Sequence, residues 1–226
     1  MQLRISKSNF MNYDFCKYLY KKEVIDKIRL PPTSIMELGI ELHKYYENKI
    51  MCKDQKEPIY DDEEITSIIE NINNFEAQRK EILSNDLYKP IICEQKFTKV
   101  INIDDVEIIM VGKPDAVFLE EDGSLNIMEL KTGKWSDYKK SSIRKELCFY
   151  AILLEGQTEQ PIENISWFYP KASHFDTEKI KKRTITAVMK QFDRMIESYK
   201  TNEWNSNYNE KKCSNCAFLK ECVFRS

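Results

Sequence analysis

The sequence predicts a mixed α/β fold in which a helical segment precedes a strand-rich segment. Before Pro90, apolar side chains recur at helical spacing, as at Ile68 and Ile72. After Pro90, short apolar and β-branched runs alternate with turn residues, which is typical of strands. The chain has 226 residues, of which 42% are hydrophobic, with only five glycines and seven prolines. It can therefore bury a substantial core, and a fibrous or disordered chain is excluded.

Three helices are predicted before Pro90. Each follows a serine, threonine or aspartate that can cap a helix N-terminus, and the Pro31-Pro32 pair separates the first two. The third is amphipathic, so it is expected to cover the core with one face. The predicted helices span residues 6–22, 33–51 and 62–83.

Strands and two further helices are predicted after Pro90. The turn sequence Glu-Asp-Gly-Ser at residues 121–124 joins two apolar runs, so residues 114–119 and 125–130 are expected to form a β-hairpin. Helices are expected over residues 141–155 and in a segment that ends near residue 200. The other predicted strands span residues 91–101, 106–111 and 165–169, with a short one near 184–185.

The net charge of −2 conceals an uneven distribution. Acidic residues predominate over residues 51–130, whereas both flanking segments are basic. This layout permits a basic groove with acidic residues at its floor, although charge alone favours an ordinary solvated surface. No apolar run is long enough for a membrane span, and the first residues lack a secretion signal. We therefore expect a cytoplasmic protein without a membrane partner, whose cysteines are not a disulfide framework.

A carboxylate pair and a lysine are the most informative feature of the strand region. Asp115 begins one strand of the predicted hairpin and Glu129 lies near the end of the other, so pairing brings both to one end of the sheet. Because side chains alternate along a strand, Glu129 and Lys131 share a face. Two carboxylates suit Mg²⁺ or Mn²⁺, and the lysine can orient water or stabilise a phosphate oxygen. The groups predict metal-assisted phosphodiester hydrolysis; the alternative is an ordinary solvent-facing hairpin edge.

The same residues resemble the core motif of a nuclease family. Gly-x-Pro-Asp at residues 112–115, followed by Glu-x-Lys-Thr-Gly at residues 129–133, is similar to the PD-(D/E)XK nucleases and, in its Thr-Gly extension, to their RecB-like branch. The resemblance implies a restriction-endonuclease-like core, with a mixed central sheet flanked by helices. It also implies catalytic roles for Asp115, Glu129 and Lys131.

Further positions of the resemblance lie outside the hairpin. Gly39 and His43 match a helical Gly-x-x-x-His motif, which implies that His43 is a metal ligand. Glu94 matches an acidic position that often precedes the core motif. There it assists the site or simply pairs with a nearby basic side chain. The metal ligands implied by the resemblance are His43, Asp115, Glu129 and Leu130.

A helix motif after the core departs from the family pattern. The branch carries Gln-x-x-x-Tyr, and this chain has Glu146 and Tyr150 at the corresponding positions. The resemblance implies that both take part in catalysis. A glutamine side chain can donate a hydrogen bond, whereas an ionised glutamate can only accept one. The departure supports an alternative function, that of a catalytically weak or inactive DNA-binding adaptor with the same fold.

Four of the seven cysteines form a pattern. Cys213, Cys216 and Cys222 lie close together in sequence, and Cys16 is a distant fourth. Four cysteines suit a [4Fe–4S] cluster or a structural zinc, and free thiols are the third alternative. The spacing resembles iron–sulfur RecB-like nucleases, including the AddB type and the CRISPR-associated Cas four family, which implies a [4Fe–4S] cluster on these four residues. Two other cysteines are expected in the core: Cys93 and Cys148.

The resemblance implies a metal-dependent exonuclease that degrades single-stranded DNA. Its setting would be CRISPR spacer acquisition, where spacer precursors are trimmed beside an integrase, or DNA processing in a virus or mobile element. We expect one nuclease domain over residues 1–226, with a helical lobe (1–90), a core (91–200) and a cluster-binding tail (201–226).

Basic and aromatic residues after the core motif are candidate DNA contacts. The basic side chains could neutralise phosphates while the aromatic rings stack on unpaired bases. A solvated helix start is the alternative interpretation. The residues are Lys134, Trp135, Tyr138, Lys139, Lys140, Arg144 and Lys145.

Overall fold

The computed structural model describes residues 1–206, 208–214 and 216–225, so residues 207, 215 and 226 of the predicted tail lie outside it. In this part of the chain, a π-helical turn spans Lys21–Ile25, and 3-10 turns span Asp137–Lys139, Pro170–Ala172 and Leu219–Glu221. The α-helices are α1 Lys7–Phe15, α2 Lys17–Tyr20, α3 Ser34–Ile50, α4 Glu63–Ile82, α5 Asn85–Tyr88, α6 Lys140–Leu154, α7 Lys182–Thr201 and α8 Glu210–Cys213. The strands are β1 Gln2–Ser6, β2 Ile92–Cys93, β3 Phe97–Ile103, β4 Val106–Gly112, β5 Ala116–Leu119, β6 Leu125–Leu130, β7 Ile162–Tyr169 and β8 His174–Lys179.

The described strands form two sheets. A five-stranded sheet has the order β2-β5-β6-β7-β8, in which β6 and β7 are parallel and the other pairs antiparallel. A three-stranded sheet has the order β1-β4-β3, in which β1 runs parallel to β4. The parallel pair β6 and β7 requires a crossover, and α6 supplies it. The predicted mixed α/β fold is confirmed.

Strand β6 lies at the centre of the core because both of its faces are covered. All six of its residues are buried. Ile127 packs with α1, α6 and α7 on one side, whereas Met128 packs with α3 and α4 on the other. A strand that is buried on both faces reads as a continuous apolar run, and this explains why Glu129 near its end is conspicuous. The predicted hairpin is confirmed, with Ala116 paired to Met128.

The beginning of the chain differs from the prediction in two ways. Residues 2–6 form β1, which the sequence analysis missed, and its partner β4 lies a hundred residues away. The predicted helix over residues 6–22 is interrupted at Cys16, whose backbone is extended (φ −162°, ψ 118°). Cys16 ends α1 and caps α2, since its sulfur accepts a hydrogen bond from the Leu19 N–H.

Two strand predictions are corrected. The strand expected over residues 91–101 is split into β2 and β3, because Glu94 takes a left-handed conformation with φ 50°. The strand expected near residues 184–185 is wrong, since these residues belong to α7. The strand before it is β8, an edge strand whose alternating exposure left no apolar run to detect. Of the two expected core cysteines, Cys148 is fully buried and Cys93 is half-buried.

No helix in the described part of the chain combines the length and the apolar character that crossing a bilayer requires. The helices that cover the sheets are instead amphipathic or buried by their neighbours. Buried apolar residues fall into two clusters, one on each face of β6, and the ends of β5 and β6 lie between these clusters. The candidate functional residues lie at the open end of the hairpin, where β5 begins and β6 ends.

Candidate active site

The two carboxylates predicted from the hairpin converge in the structure. Asp115 immediately precedes β5 and Glu129 lies in β6; they are 8% and 1% exposed. Asp115 Oδ2 accepts a hydrogen bond from the Leu130 main-chain N–H at 2.8 Å. The pairing of β5 with β6 therefore fixes the Asp115 carboxylate beside the strand that carries Glu129.

A histidine from α3 and a glutamate from the β2–β3 connection complete a possible ligand set. His43, Glu94 and Asp115 each offer an atom within 4.8 Å of the others. His43 Nδ1 lies 3.3 Å from Asp115 Oδ2. Glu94 is held by its backbone, whose N–H donates to the Asp115 carbonyl at 3.2 Å, and its side chain pairs with Lys113. The left-handed backbone of Glu94 is a strained conformation of the kind that clusters at functional sites.

The residues present fit a divalent metal ion. Glu129 Oε2 is buried and has no hydrogen-bond partner, which leaves one carboxylate oxygen available inside the site. Carboxylate oxygens are the ligands that hard divalent cations prefer, and imidazole is a common transition-metal ligand. Leu130, a predicted ligand, has a fully buried apolar side chain, so its main-chain carbonyl is the only oxygen it can offer.

Nearby charged groups shift the pKa values of His43 and Asp115 in opposite directions. Burial disfavours the charged form of both groups, but their mutual contact outweighs it. The pKa of His43 is raised by its hydrogen bond to Asp115 and by the negative charges of Asp115 and Glu129. The pKa of Asp115 is lowered by His43, by the charge of Lys131 and by the Leu130 N–H.

Lys131 lies on the same face as Glu129, as the alternation of the strand predicts. Its Nζ donates to Glu129 Oε1 at 2.9 Å and to Glu146 Oε1 at 2.7 Å. Burial alone would lower the pKa of Lys131, but the charges of Glu129 and Glu146 raise it, so the ammonium is retained. Glu146, from α6, is itself 7% exposed. The structure thus joins the predicted hairpin residues to the helix motif.

Sequence analysis missed one lysine that reaches the same carboxylates. Lys7 is the first residue of α1, and its Nζ lies 2.6 Å from Glu146 Oε1 and 3.2 Å from Glu129 Oε1. Its contacts are more than a hundred residues away in sequence, so no local motif identifies it. The only local sign is the serine cap of α1 at Ser6, which places Lys7 at a helix start.

Tyr150 holds the segment before Asp115 rather than the carboxylates themselves. Its ring is buried, and its hydroxyl donates to the Lys113 main-chain carbonyl at 2.9 Å. Burial, followed by the Glu129 charge, raises the pKa of the Tyr150 hydroxyl, so the phenol stays protonated. Tyr150, Lys7, His43 and Lys131 line one cavity of about 740 Å³ together with Asp115, Glu129 and Glu94.

Most of the basic side chains that were predicted to contact DNA form ion pairs with carboxylates of the protein itself. Lys140 lies 2.6 Å from Asp176, and Arg144 forms two hydrogen bonds to Glu178. Lys145 pairs with Asp14 at 2.7 Å. The aromatic residues differ: the Trp135 ring stacks on His174 at 4.1 Å, whereas Tyr138 is 83% exposed. Lys139 is half-buried and its ammonium donates to the Lys134 main-chain carbonyl, so the exposed candidates that remain are Lys134 and Tyr138.

The four predicted cluster cysteines gather on one side of the molecule. They are half-buried and free of disulfides. Burial raises the pKa of the Cys216 thiol, a backbone hydrogen bond near Phe218 opposes this, and the charges of the other three cysteines add to the rise. The hydroxyl of Tyr18, two residues after Cys16, donates to the Glu221 carbonyl at 3.2 Å and so ties α2 to the tail. Among the residues that the structure describes, the group close enough to hold one metal ion is His43, Glu94 and Asp115, and the four cysteines do not form a second group of this kind.

A carboxylate-rich hairpin end with a buried lysine, on a mixed sheet flanked by helices, is typical of metal-dependent nucleases. A sequence model of the PD-(D/E)XK nuclease superfamily matches residues 4–223. The chain belongs to this superfamily. Its fold is therefore restriction-endonuclease-like, as expected, and membership implies a nucleic-acid substrate and the use of divalent metal ions.

Two solved structures are similar to the chain. A candidate exonuclease from Eubacterium rectale has 11% sequence identity and a TM-score of 0.56, with 96% of this chain and 87% of that chain covered. The protein SSO0001 has 16% identity and a TM-score of 0.49, with 97% and 85% covered. At these identities the first likeness shows the fold alone, and the second adds nothing to it. No curated protein matches the chain in sequence.

Proposed function

We propose that the chain is a Mg²⁺- or Mn²⁺-dependent exonuclease that degrades single-stranded DNA. The observation that carries the proposal is the convergence of His43, Asp115 and Glu129 with Lys131 in one cavity. Glu94 offers a ligand atom within 4.8 Å of ligand atoms of His43 and Asp115, which adds one residue to the ligands predicted from sequence. The exposed Lys134 remains as a candidate contact to the DNA backbone, and Tyr138 as a surface for base stacking.

The chain's own residues have distinct tasks in this proposal. His43, Asp115 and the free oxygen of Glu129 would hold the cation, with Glu94 and the Leu130 carbonyl as further ligands. When bound, a divalent ion supplies Lewis acidity towards the phosphodiester. Lys131 keeps its ammonium beside Glu129, where it can stabilise a phosphate oxygen or orient water. Tyr150 fixes the main chain that leads to Asp115.

Alanine substitutions at the centre of the site test the proposal. We expect Asp115→Ala, Glu129→Ala and Lys131→Ala each to lower degradation of end-labelled single-stranded DNA by about 100-fold or more. Glu121→Ala, in the exposed turn of the same hairpin, is the matched control and should leave activity unchanged. Circular single strands should resist the wild-type protein, since an exonuclease needs an end. Full activity in any of the three variants, or cleavage of circles at the same rate, would contradict the proposal.

We further propose that Cys16, Cys213, Cys216 and Cys222 bind a [4Fe–4S] cluster. The hydrogen bond from Tyr18 to Glu221, which ties α2 to the tail, supports the proposal, and the family resemblance of the cysteine pattern favours iron over zinc. Protein purified without oxygen should be brown and contain about four iron and four sulfide ions per chain. Stoichiometric zinc without sulfide would instead indicate a zinc-stabilised nuclease.

The proposed cellular setting is cytoplasmic DNA processing, either in CRISPR spacer acquisition beside an integrase or in a virus or mobile element. The support is the resemblance of the cysteine pattern to the CRISPR-associated family. An integrase gene adjacent to the gene of this chain, together with co-purification of the two proteins, is the expected observation for the first setting. A neighbourhood of viral or mobile-element genes would favour the second.

A second candidate function, that of an inactive DNA-binding adaptor, is favoured by one contact. Glu146 replaces the glutamine of the family and accepts a hydrogen bond from Lys131 that is shorter than the bond from Lys131 to Glu129. If Glu146 withdraws the lysine from the reaction, the protein would bind DNA without cutting it. Binding without cleavage in the presence of Mn²⁺ and the absence of oxygen would support the adaptor.

A further inference from the structure

Lys7 lies in the proposed active site, although the nuclease motif does not include it. Its ammonium contacts Glu146 Oε1 at 2.6 Å and Glu129 Oε1 at 3.2 Å, and lies 5.7 Å from the centre of the Tyr150 ring. The side chain is 22% exposed. These contacts join the beginning of the chain to the end of β6 and to α6.

Lys7 and Lys131 share the same two acceptor atoms. Lys131 Nζ lies 2.9 Å from Glu129 Oε1 and 2.7 Å from Glu146 Oε1. The four side chains therefore form a closed network of two ammonium groups and two carboxylates, with no net charge. Without Lys7, two carboxylates would compete for Lys131, and a negative charge at Glu146 would be left partly unpaired in a buried place.

The helix that carries Lys7 does not explain its position. A lysine in the first turn of a helix faces the positive end of the helix dipole, which is unfavourable. The parallel pairing of β1 with β4, with Ser6 beside Val111, delivers Lys7 to the segment that leads to Asp115. The carboxylates of the site offset the unfavourable placement. The position of Lys7 is therefore explained by the site.

We propose that Lys7 is a positioning residue, whose ammonium neutralises Glu146 and thereby leaves Lys131 available to Glu129 and the substrate phosphate. The inference rests on the proposed nuclease function. On its own, Glu146 supports an inactive adaptor. On this inference it is instead compatible with activity, since Lys7 and Glu146 together replace the neutral glutamine of the family. The pair of Lys7 and Glu146 would then leave the pair of Lys131 and Glu129 intact for the reaction.

The variant Lys7→Met separates this role from a structural one. We expect kcat to fall about tenfold while KM stays within about twofold, because Lys131 is drawn to Glu146 and substrate binding is little changed. Removing a positive charge near the cation site should make Mn²⁺ bind about threefold more tightly in calorimetry without DNA. General damage to the site would weaken Mn²⁺ binding as well as catalysis.

The double variant Lys7→Met/Glu146→Gln tests the coupling directly. It removes one charge of each sign, so kcat and Mn²⁺ affinity should both return to within about threefold of the wild type. Glu146→Gln alone should weaken Mn²⁺ binding, since a negative charge is lost. Lys200→Met, which removes a lysine from an exposed pair with Asp105, is the control and should change neither quantity.

Two results would overturn the inference: additive losses in the double variant, or weaker Mn²⁺ binding in Lys7→Met with an unchanged melting temperature. If the wild-type protein degrades no DNA, the proposed function is wrong. The Mn²⁺ affinities of the variants still test whether the charge of Lys7 is paired with that of Glu146. Tighter binding in Lys7→Met and its reversal in the double variant would then still establish the pairing of Lys7 with Glu146.

Discussion

At the scale of single residues, Gly112 marks the closest approach of α6 to the sheet. A Cβ at this position would lie 2.8 Å from a Tyr150 ring carbon and 2.8 Å from a Leu153 methyl carbon. The Tyr150 ring cannot move away freely, because its hydroxyl is bonded to the Lys113 carbonyl. The absence of a side chain therefore lets α6 place Glu146 within reach of the hairpin.

We predict that Gly112→Ala destabilises the protein by about 1–3 kcal/mol, since the added methyl group overpacks a buried contact. The midpoint of urea unfolding measures the effect. Gly133→Ala is the matched control, because nothing lies within 4 Å of the site of its Cβ. Equal midpoints for the two variants would show that α6 can shift without cost.

The site could be predicted in part at this scale. Asp115, Glu129 and Lys131 lie in one local hairpin, so the turn signal and the alternation of side chains were enough to bring them together. Lys7 and Glu94 could not be placed in the same way. The first depends on a strand pairing across a hundred residues, and the second on a left-handed backbone that breaks a predicted strand.

At the scale of elements, one carboxylate links β8 to α6. Glu178 accepts two hydrogen bonds from Arg144 and lies 3.0 Å from Lys140. These contacts, the Arg144 hydrogen bonds first, lower the pKa of Glu178 to about 2. The edge strand is therefore attached to the crossover helix by charge as well as by backbone pairing.

We predict that this link stabilises the protein above the ordinary glutamate pKa and is lost as the pH falls. Because the pKa is lower in the folded state than in the unfolded chain, stability decreases from about pH 4.5 towards pH 2. Glu178→Gln should be less stable than the wild type at pH 7, and the difference should shrink as the pH falls to 3. Urea unfolding at a series of pH values measures this.

The control for this prediction is Glu163→Gln, which removes a more exposed carboxylate at 3.6 Å from Lys179 on the same pair of strands. Because its contact is longer and more exposed, Glu163→Gln should cost less stability at pH 7 than Glu178→Gln. A constant difference between Glu178→Gln and the wild type at every pH would mean that the link acts through packing alone.

Several elements show why sequence prediction succeeded or failed. The hairpin and α3, α4 and α6 carry strong local signals and were predicted to within a few residues. Residues 184–185 are β-prone, but buried Val188, Phe192 and Met195 give the amphipathic spacing of a helix that includes them. Strand β1 has the alternation of a strand, with Leu3 and Ile5 buried, but five residues without a nearby partner are a weak signal.

At the scale of the whole molecule, the first helices pack against α7 and the tail. The Tyr13 hydroxyl donates to the Arg194 carbonyl at 2.6 Å, and the Tyr20 ring stacks on Trp204 at 5.6 Å. Beside the interruption at Cys16, the Cys16 thiol lies 3.1 Å from the Ser206 hydroxyl, and the Tyr18 hydroxyl of α2 donates to the Glu221 carbonyl. Proximity of Cys16 to the tail therefore follows from the packing of α1 and α2, which sequence spacing could not show.

We predict that Cys16→Ser lowers the iron content and makes the described residues of the tail more sensitive to proteolysis, because one ligand of the proposed cluster is lost. Cys52→Ser, at an exposed cysteine away from the tail, should retain both iron and protease resistance. Iron analysis and limited digestion followed by mass spectrometry measure the effects. An unchanged iron content in Cys16→Ser would contradict its role as a ligand.

The parallel pairing of β1 with β4 also has a consequence during protein synthesis. Residues 2–6 leave the ribosome well before their partner, residues 106–112, which is made about a hundred residues later. Lys7 cannot meet Glu146 until still more of the chain has emerged. A polypeptide released before α6 is made would therefore lack the assembled pairing of Lys7 and Lys131 with Glu146.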